Sequence, residues 1–99
     1  MKVYISIPIT GLDHDEQKRK ALMIAESYRA MGSKTVTPFD IISSENPQKE
    51  DYAYCMGQDV EAMLRCDTVC FANGWQYSKG CMAEFAIAKV YGKIIEFEI

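Results

Sequence analysis

The stretch Asp-Thr-Val-Cys-Phe-Ala at residues 67–72 decides the fold, because it has the length of one strand and contains a continuous apolar run. A loop over 73–77 follows it, and the small and apolar residues of 78–91 then predict a helix that ends before Gly92. Residues 93–97 predict another strand. This strand–helix–strand unit is typical of two parallel strands joined by a crossover helix.

The same alternation extends from this unit to the N-terminus. Residues 2–7 alternate apolar and polar side chains and predict a strand, and apolar residues recur at helical spacing over 13–31. A short strand is predicted over 33–38, a loop over 39–50 and a helix over 51–66. The order β-α-β-α-β-α-β predicts a three-layer α/β/α fold, with a flavodoxin-like or Rossmann-like parallel sheet in strand order 2-1-3-4.

Length and charge restrict the function classes. With 99 residues and 48% hydrophobic content, we expect one domain over residues 1–99. The net charge of −3 and the pI near 5.1 argue against a nucleic-acid partner, which needs a basic face. The N-terminus leads directly into a strand without a signal peptide, and no apolar run has the length of a membrane span. We therefore expect a cytoplasmic protein with no membrane partner.

The cysteines do not form a metal motif. Cys55, Cys66, Cys70 and Cys81 contain no C-x-x-C pair, and the one histidine, His14, is distant in sequence. We expect neither a metal ion nor a cofactor. The cysteines are instead typical of small buried apolar residues in a reducing compartment.

Glu84 is the main candidate for a functional residue, because it lies in a predicted helix whose neighbouring residues are apolar or small. Burial of an unpaired carboxylate is costly and raises its pKa. In the predicted strand order, the connections diverge after the first and third strands, and ligands bind in the crevice at such a point. The loops that meet there are Pro8–Gly11 and Asn73–Ser78, and the second leads into the helix of Glu84.

Other candidates have a structural alternative. Ser78 is either an ordinary helix cap or, with the close backbone approach that Gly80 permits, part of an anion site at a helix N-terminus. Thr10 and Gly11 could supply further backbone donors. Trp75, like Tyr77, either stacks on a planar ligand or closes its loop by hydrophobic contacts.

Three further residues have alternatives of the same kind. Tyr4 is a core aromatic residue or a residue that orients Glu84, and Asp59 is a solvated helix carboxylate or a functional one. Asp67 is interpreted as a structural residue of a helix-to-strand turn.

Three motifs together resemble one family. They are Tyr-Ile-Ser-Ile-Pro-Ile-Thr-Gly at 4–11, the spaced pair Asp59 and Asp67, and Ser-x-Gly-x-x-x-Glu at 78–84. In this order they are similar to the nucleoside 2-deoxyribosyltransferase superfamily, which includes the 2'-deoxynucleoside 5'-monophosphate N-glycosidases. The closest likeness is to a small bacterial and phage branch, and it extends over nearly the whole chain.

The resemblance implies a role for each matching position. Glu84 matches the nucleophile that attacks the anomeric carbon, Tyr4 a residue that orients it, and Asp59 an aspartate that assists proton transfer at the departing base or binds the sugar. Ser78 matches a serine that contacts the 5'-phosphate in the nucleotide hydrolases, where the nucleoside transferases have aspartate. By the same resemblance the substrate-binding and phosphate-binding residues are Ser6, Pro8, Thr10, Gly11, Ser78, Gly80 and Trp75.

The resemblance thus favours an N-glycosidase or a deoxyribosyltransferase whose small-molecule partner is a nucleotide or a nucleoside. The alternatives are a catalytically silent nucleotide-binding module and a structural or partner-binding protein. The resemblance also implies a homodimer or larger homo-oligomer, since a neighbouring subunit's C-terminal region completes the site in characterised members. Here we expect residues 39–54 to substitute for that region, or the site to be incomplete.

Overall fold

The computed structural model describes residues 1–41 and 52–99, which contain one four-stranded, all-parallel sheet with helices packed on it. The strand order is β2-β1-β3-β4, so the predicted order and the α/β class are confirmed. Among the described residues, no helix combines the length and the apolar character that crossing a membrane requires. The elements are β1 (Lys2–Ser6), α1 (His14–Ala30), β2 (Lys34–Val36), α2 (Pro38–Ile41), α3 (Tyr52–Leu64), β3 (Thr68–Phe71), α4 (Lys79–Val90) and β4 (Ile94–Phe97).

The sheet divides the core into two halves, because alternate residues of each strand point to opposite faces. Val3 and Ile5 of β1 face α1, where they pack with Ala25. Tyr4 points the other way and packs with Met63 of α3, in the larger cluster that also includes α4. β1 pairs with both β2 and β3 and therefore lies inside the sheet.

α1 begins where the sequence predicts it. Asp13 is its N-cap, and the Asp13 carboxylate accepts a hydrogen bond of 2.9 Å from the backbone N–H of Glu16. Within the first turns, the buried side chain of Gln17 donates a hydrogen bond of 2.8 Å to the carbonyl oxygen of Pro8. This bond anchors the loop after β1 to α1, and it positions one wall of the predicted crevice.

Two segments that were predicted as loop, the first together with residue 38 of the predicted strand, are helical. Residues 38–41 form the single turn α2, because the Asp40 carboxylate accepts hydrogen bonds from the backbone N–H and the hydroxyl of Thr37. Residues 75–77 form a 3-10 turn after Gly74, whose φ of +90° favours glycine. The rest of the predicted loop and the start of the predicted helix at residue 51 lie outside the described residues, as does most of the 39–54 segment expected to help form the site.

Candidate functional site

Glu84 lies on α4 against the central strand β1, and only 4% of its surface is exposed. The Ser6 hydroxyl donates a hydrogen bond of 2.6 Å to Glu84 Oε1, and the Tyr4 hydroxyl donates one of 3.2 Å to Oε2. Because Tyr4 and Ser6 are two positions apart on one strand, both side chains point to the same face of the sheet. The structure therefore brings together three residues predicted for the site, and each carboxylate oxygen has its own donor.

Burial raises the pKa of Glu84 to about 7. The negative charge of Asp59 acts in the same direction, while the hydrogen bonds from Ser6 and Tyr4 oppose the rise because they stabilise the ionised form. Burial and the adjacent Glu84 carboxylate raise the pKa of Tyr4 well above its ordinary value, so its phenol remains a donor. The pKa of Glu84 therefore lies closer to neutral pH than that of an exposed glutamate.

Asp59 is the second carboxylate of the site. It lies on α3, and burial raises its pKa to about 6. Its Oδ1 atom is buried and has no hydrogen-bond partner among the described residues. An unpartnered buried acceptor costs free energy, and this atom therefore keeps its full capacity to bind a proton or a donor from a ligand.

Gly80 in the first turn of α4 has the hydroxyls of Ser78 and Tyr52 close to its backbone. Ser78 is the N-cap, as its residue type predicts, and its hydroxyl oxygen accepts a hydrogen bond of 3.2 Å from the backbone N–H of Cys81. A Cβ atom at Gly80 would lie 3.1 Å from the Tyr52 hydroxyl and 3.9 Å from the Ser78 hydroxyl. The glycine therefore keeps a space between α3 and α4 that any larger residue would fill.

The two predicted crevice loops lie next to each other. Pro8 is buried, and its Cγ atom is 3.9 Å from the position that a Cβ at Gly74 would take. Thr10 and Gly11 are exposed farther along the first loop, and Gly11 has a φ of +80° that favours glycine. In the described part of the chain, no hydrogen bond joins Thr10 or Gly11 to Glu84, and their binding role stays a prediction.

Trp75 belongs to an aromatic cluster. Its ring stacks on Phe85 with centroids 4.7 Å apart and on Phe97 with centroids 5.6 Å apart, and it also contacts Phe71. These contacts correspond to the hydrophobic-closure alternative. Stacking of Trp75 on a ligand stays a prediction, and Tyr77 of the same turn is almost fully exposed.

Asp67 has the structural role that the sequence indicates. Its carboxylate accepts a hydrogen bond of 3.2 Å from the backbone N–H of Lys2 and one of 3.1 Å from the hydroxyl of Thr68. These bonds hold the start of β3 next to the start of β1, at the N-terminal ends of the two strands.

Tyr52 is a site residue that the sequence reasoning missed. It lies at the start of α3, and its pKa is raised by burial and by the charges of Glu84, Cys81 and Asp59. The available signal was its spacing, because Tyr52, Met56 and Asp59 recur at i, i+4 and i+7 and so share one face of the helix.

Comparison with known proteins identifies a family. The family described as "Domain of unknown function (DUF4406)" matches residues 1–97, which is nearly the whole chain. No curated protein matches the chain at a significant level. On the breadth of the family match, this protein belongs to the DUF4406 family.

Proposed function

We propose that this protein cleaves the N-glycosidic bond of a nucleoside 5'-monophosphate, with Glu84 as the nucleophile. The observation that carries the proposal is the buried Glu84 carboxylate, which is held at both oxygens by Ser6 and Tyr4 and has a pKa near neutrality. Water as the acceptor would make the protein a hydrolase, and a second base would make it a deoxyribosyltransferase. The resemblance to the nucleoside 2-deoxyribosyltransferase superfamily supports the same chemistry.

The reaction explains why a carboxylate is held in this way. Cleavage of an N-glycosidic bond develops positive charge on the sugar, and a carboxylate beneath the ring stabilises that charge or traps it as a covalent ester. A low-dielectric site strengthens the attraction, and donors already in place reduce the reorganisation that the reaction needs. In our proposal the ionised Glu84 attacks the anomeric carbon while Ser6 and Tyr4 keep it oriented.

Asp59 is the proposed proton donor for the departing base. Its raised pKa favours the protonated form, and its unpartnered oxygen is available to a ligand. Burial raises the pKa values of both carboxyls towards neutrality, and the repulsion between their charges favours a state in which the pair holds one proton. The state that has an ionised nucleophile and a protonated acid is therefore accessible near neutral pH.

The first turn of α4 favours a nucleotide over a nucleoside. Ser78 is a neutral cap, and the partial positive charge of a helix N-terminus attracts an anion that an aspartate at this position would repel. Gly80 in this turn is only partly buried. We assign the 5'-phosphate to this turn, with Pro8, Thr10 and Gly11 on the opposite loop.

The location and assembly expected from the sequence are part of this proposal. We propose a cytoplasmic homodimer or larger homo-oligomer, which the exposed apolar side chains of Met82 and Val90 on α4 support. Size-exclusion chromatography with light scattering measures the assembly directly.

A panel assay tests the proposed activity. Each deoxyribonucleoside and ribonucleoside 5'-monophosphate is incubated with the protein, with and without a second base, and free base is measured by chromatography. We expect release from at least one monophosphate and none with Glu84→Gln. A folded protein that releases no base overturns the catalytic proposal. If monophosphates then raise the Tm without being consumed, the protein is a nucleotide-binding module.

A further inference from the structure

The face of α3 that carries Asp59 also carries Tyr52, whose phenol lies at the end of the site that is nearer to solvent. Tyr52 and Asp59 are two helical turns apart, and Met56 lies between them on the same face. On α4, Gly80 and Glu84 are one turn apart and face this stripe, as the position of the Tyr52 hydroxyl over Gly80 demonstrates. The two helices thus form a seam with the carboxylates at its inner end and Tyr52 at its outer end.

The Tyr52 hydroxyl is available to a ligand. About half of the residue, 53%, is exposed, and its hydroxyl donates to Met56 Sδ at 3.9 Å. A thioether sulfur is a weak acceptor, and the hydroxyl therefore loses little when it turns to an oxygen atom. Burial and the charges of Glu84, Cys81 and Asp59 raise its pKa, which keeps the phenol protonated as a donor.

Gly80 makes room for this hydroxyl. A Cβ atom at position 80 would lie 3.1 Å from Tyr52 Oη, which is closer than an ordinary van der Waals contact, and 3.8 Å from Met56 Sδ. The space that the missing side chain leaves is bounded by the hydroxyls of Tyr52 and Ser78. The hydroxyls of Tyr52 and Ser78 thus both lie beside Gly80, one from α3 and one from the N-cap of α4.

We propose that Tyr52 is a substrate-binding residue whose hydroxyl donates a hydrogen bond to an oxygen of the nucleotide bound at Glu84. This inference rests on the proposed function. Because the contact lies at the outer end of the seam, away from the bond that breaks, it stabilises the bound substrate and the transition state equally. Tyr52 therefore sets the affinity for substrate and leaves the rate of bond cleavage to Glu84 and Asp59.

The test compares Tyr52→Phe, Gly80→Ala and the double variant, with Tyr91→Phe at the far end of α4 as the control. For the monophosphate that is cleaved fastest, Tyr52→Phe should raise KM about five- to tenfold and change kcat less than about twofold. Gly80→Ala should raise KM less, because its methyl group displaces the hydroxyl by only a few tenths of an ångström. In the Tyr52→Phe background, Gly80→Ala should raise KM by less than it does alone, since the displaced hydroxyl is already absent and only its effect on the first turn of α4 remains.

The outcomes separate this inference from the proposed function. If the wild type cleaves a monophosphate and Tyr52→Phe keeps its KM, Tyr52 does not bind substrate while the proposed function stands. If nothing is cleaved, the same variants are compared by the Tm shift with the monophosphate that binds best. A reduced shift for Tyr52→Phe then supports the contact without the activity, and an unchanged shift, or no binding at all, overturns the inference.

Discussion

Among the described residues, two tyrosine–glutamate pairs lie on opposite faces of the sheet, and only one of them is buried beside a second carboxylate. Tyr4 donates to Glu84 in the layer of α3 and α4, and Tyr28 of α1 donates to Glu96 of β4 on the other side. Both pairs join residues that are distant in sequence, with the same donor and the same acceptor. The pairs differ in burial, since Glu84 is almost fully buried and Glu96 is exposed.

The position of each strand explains the difference. β1 is an interior strand, and its Tyr4 and Ser6 side chains meet Glu84 of α4 in a buried position near the charge of Asp59. β4 is the edge strand, and Glu96 remains in contact with solvent while its bond with Tyr28 connects α1 to the edge of the sheet. Desolvation and a second carboxylate thus make a buried Tyr–Glu pair a candidate site, whereas an exposed pair only connects two elements of the fold.

The largest expected effect is on activity. Glu84→Gln should reduce base release at least about 10³-fold, since the neutral amide can neither trap nor stabilise the charged sugar. Glu96→Gln, the matched change in the exposed pair, should keep base release within about twofold. Rates for both variants under identical conditions measure this contrast. Equal losses in the two variants would remove the functional distinction between the pairs.

The second effect is on stability as a function of pH. Because the pKa of Glu84 is raised in the folded state to about 7 from an ordinary 4.5, its contribution to stability is fully present below about pH 4.5 and is lost as the pH rises through 7. The loss amounts to about 3 kcal/mol by pH 8. Glutamine does not ionise, and Glu84→Gln therefore does not suffer this loss. Between pH 4.5 and pH 8, the free energy of unfolding of the variant should rise by that amount relative to that of the wild type.

Urea unfolding of the wild type and of Glu84→Gln at several pH values checks this expectation. Glu96→Gln controls for the loss of one negative charge from the surface. A difference between Glu84→Gln and the wild type that stays constant across the pH range would mean that Glu84 ionises without cost in the folded protein.

The third effect separates the two phenols. Tyr4→Phe removes a bond that lowers the pKa of Glu84, so fewer molecules carry the ionised nucleophile at pH 7, and base release should fall about two- to threefold there and less at pH 9. Tyr28→Phe should leave base release unchanged and lower the free energy of unfolding by about 1 kcal/mol, the usual contribution of one hydrogen bond. Activity and unfolding measurements on both variants test whether Tyr4→Phe affects activity and Tyr28→Phe affects stability. A Tyr28→Phe variant with reduced activity would contradict this contrast.

The smallest expected effect is a shift in titration. Asp59→Asn removes a negative charge that raises the pKa of Glu84, and the midpoint of Glu84 should therefore move below about 7. Carbon NMR of the Glu84 carboxyl group as a function of pH measures this midpoint in the folded protein. An unchanged or higher midpoint in Asp59→Asn would mean that the two carboxylates do not interact.

Local sequence patterns predicted most of the fold. The apolar run within 67–72, the helical spacing of apolar residues over 13–31 and the glycine after α4 are signals within a few residues of the elements that they define, and the described elements follow them. The turn α2 was missed although Thr37, Pro38 and Asp40 form a local capping signal, because the later residues of that segment favour a loop. The predicted strand order followed from the alternation of elements and the handedness of crossovers.

The site was predicted only in part. Glu84 was identified because a lone carboxylate in an apolar helix is a local anomaly, and its location followed from the topology. Ser6 was expected to bind substrate, and in the structure its hydroxyl donates to Glu84. Tyr52 has an ordinary helical environment in the sequence, and only the packing of α3 against α4 reveals that its hydroxyl lies over Gly80.

The sequence by itself therefore determined the order and type of the elements, the parallel sheet and the residue to suspect, because these depend on local periodicity and on general rules of chain connection. The tertiary structure alone decided which tyrosine–glutamate pair is buried, which hydroxyls hold Glu84 and how close Asp59 lies. Those properties depend on desolvation and on distances between residues about 80 positions apart in the chain, which no local pattern encodes.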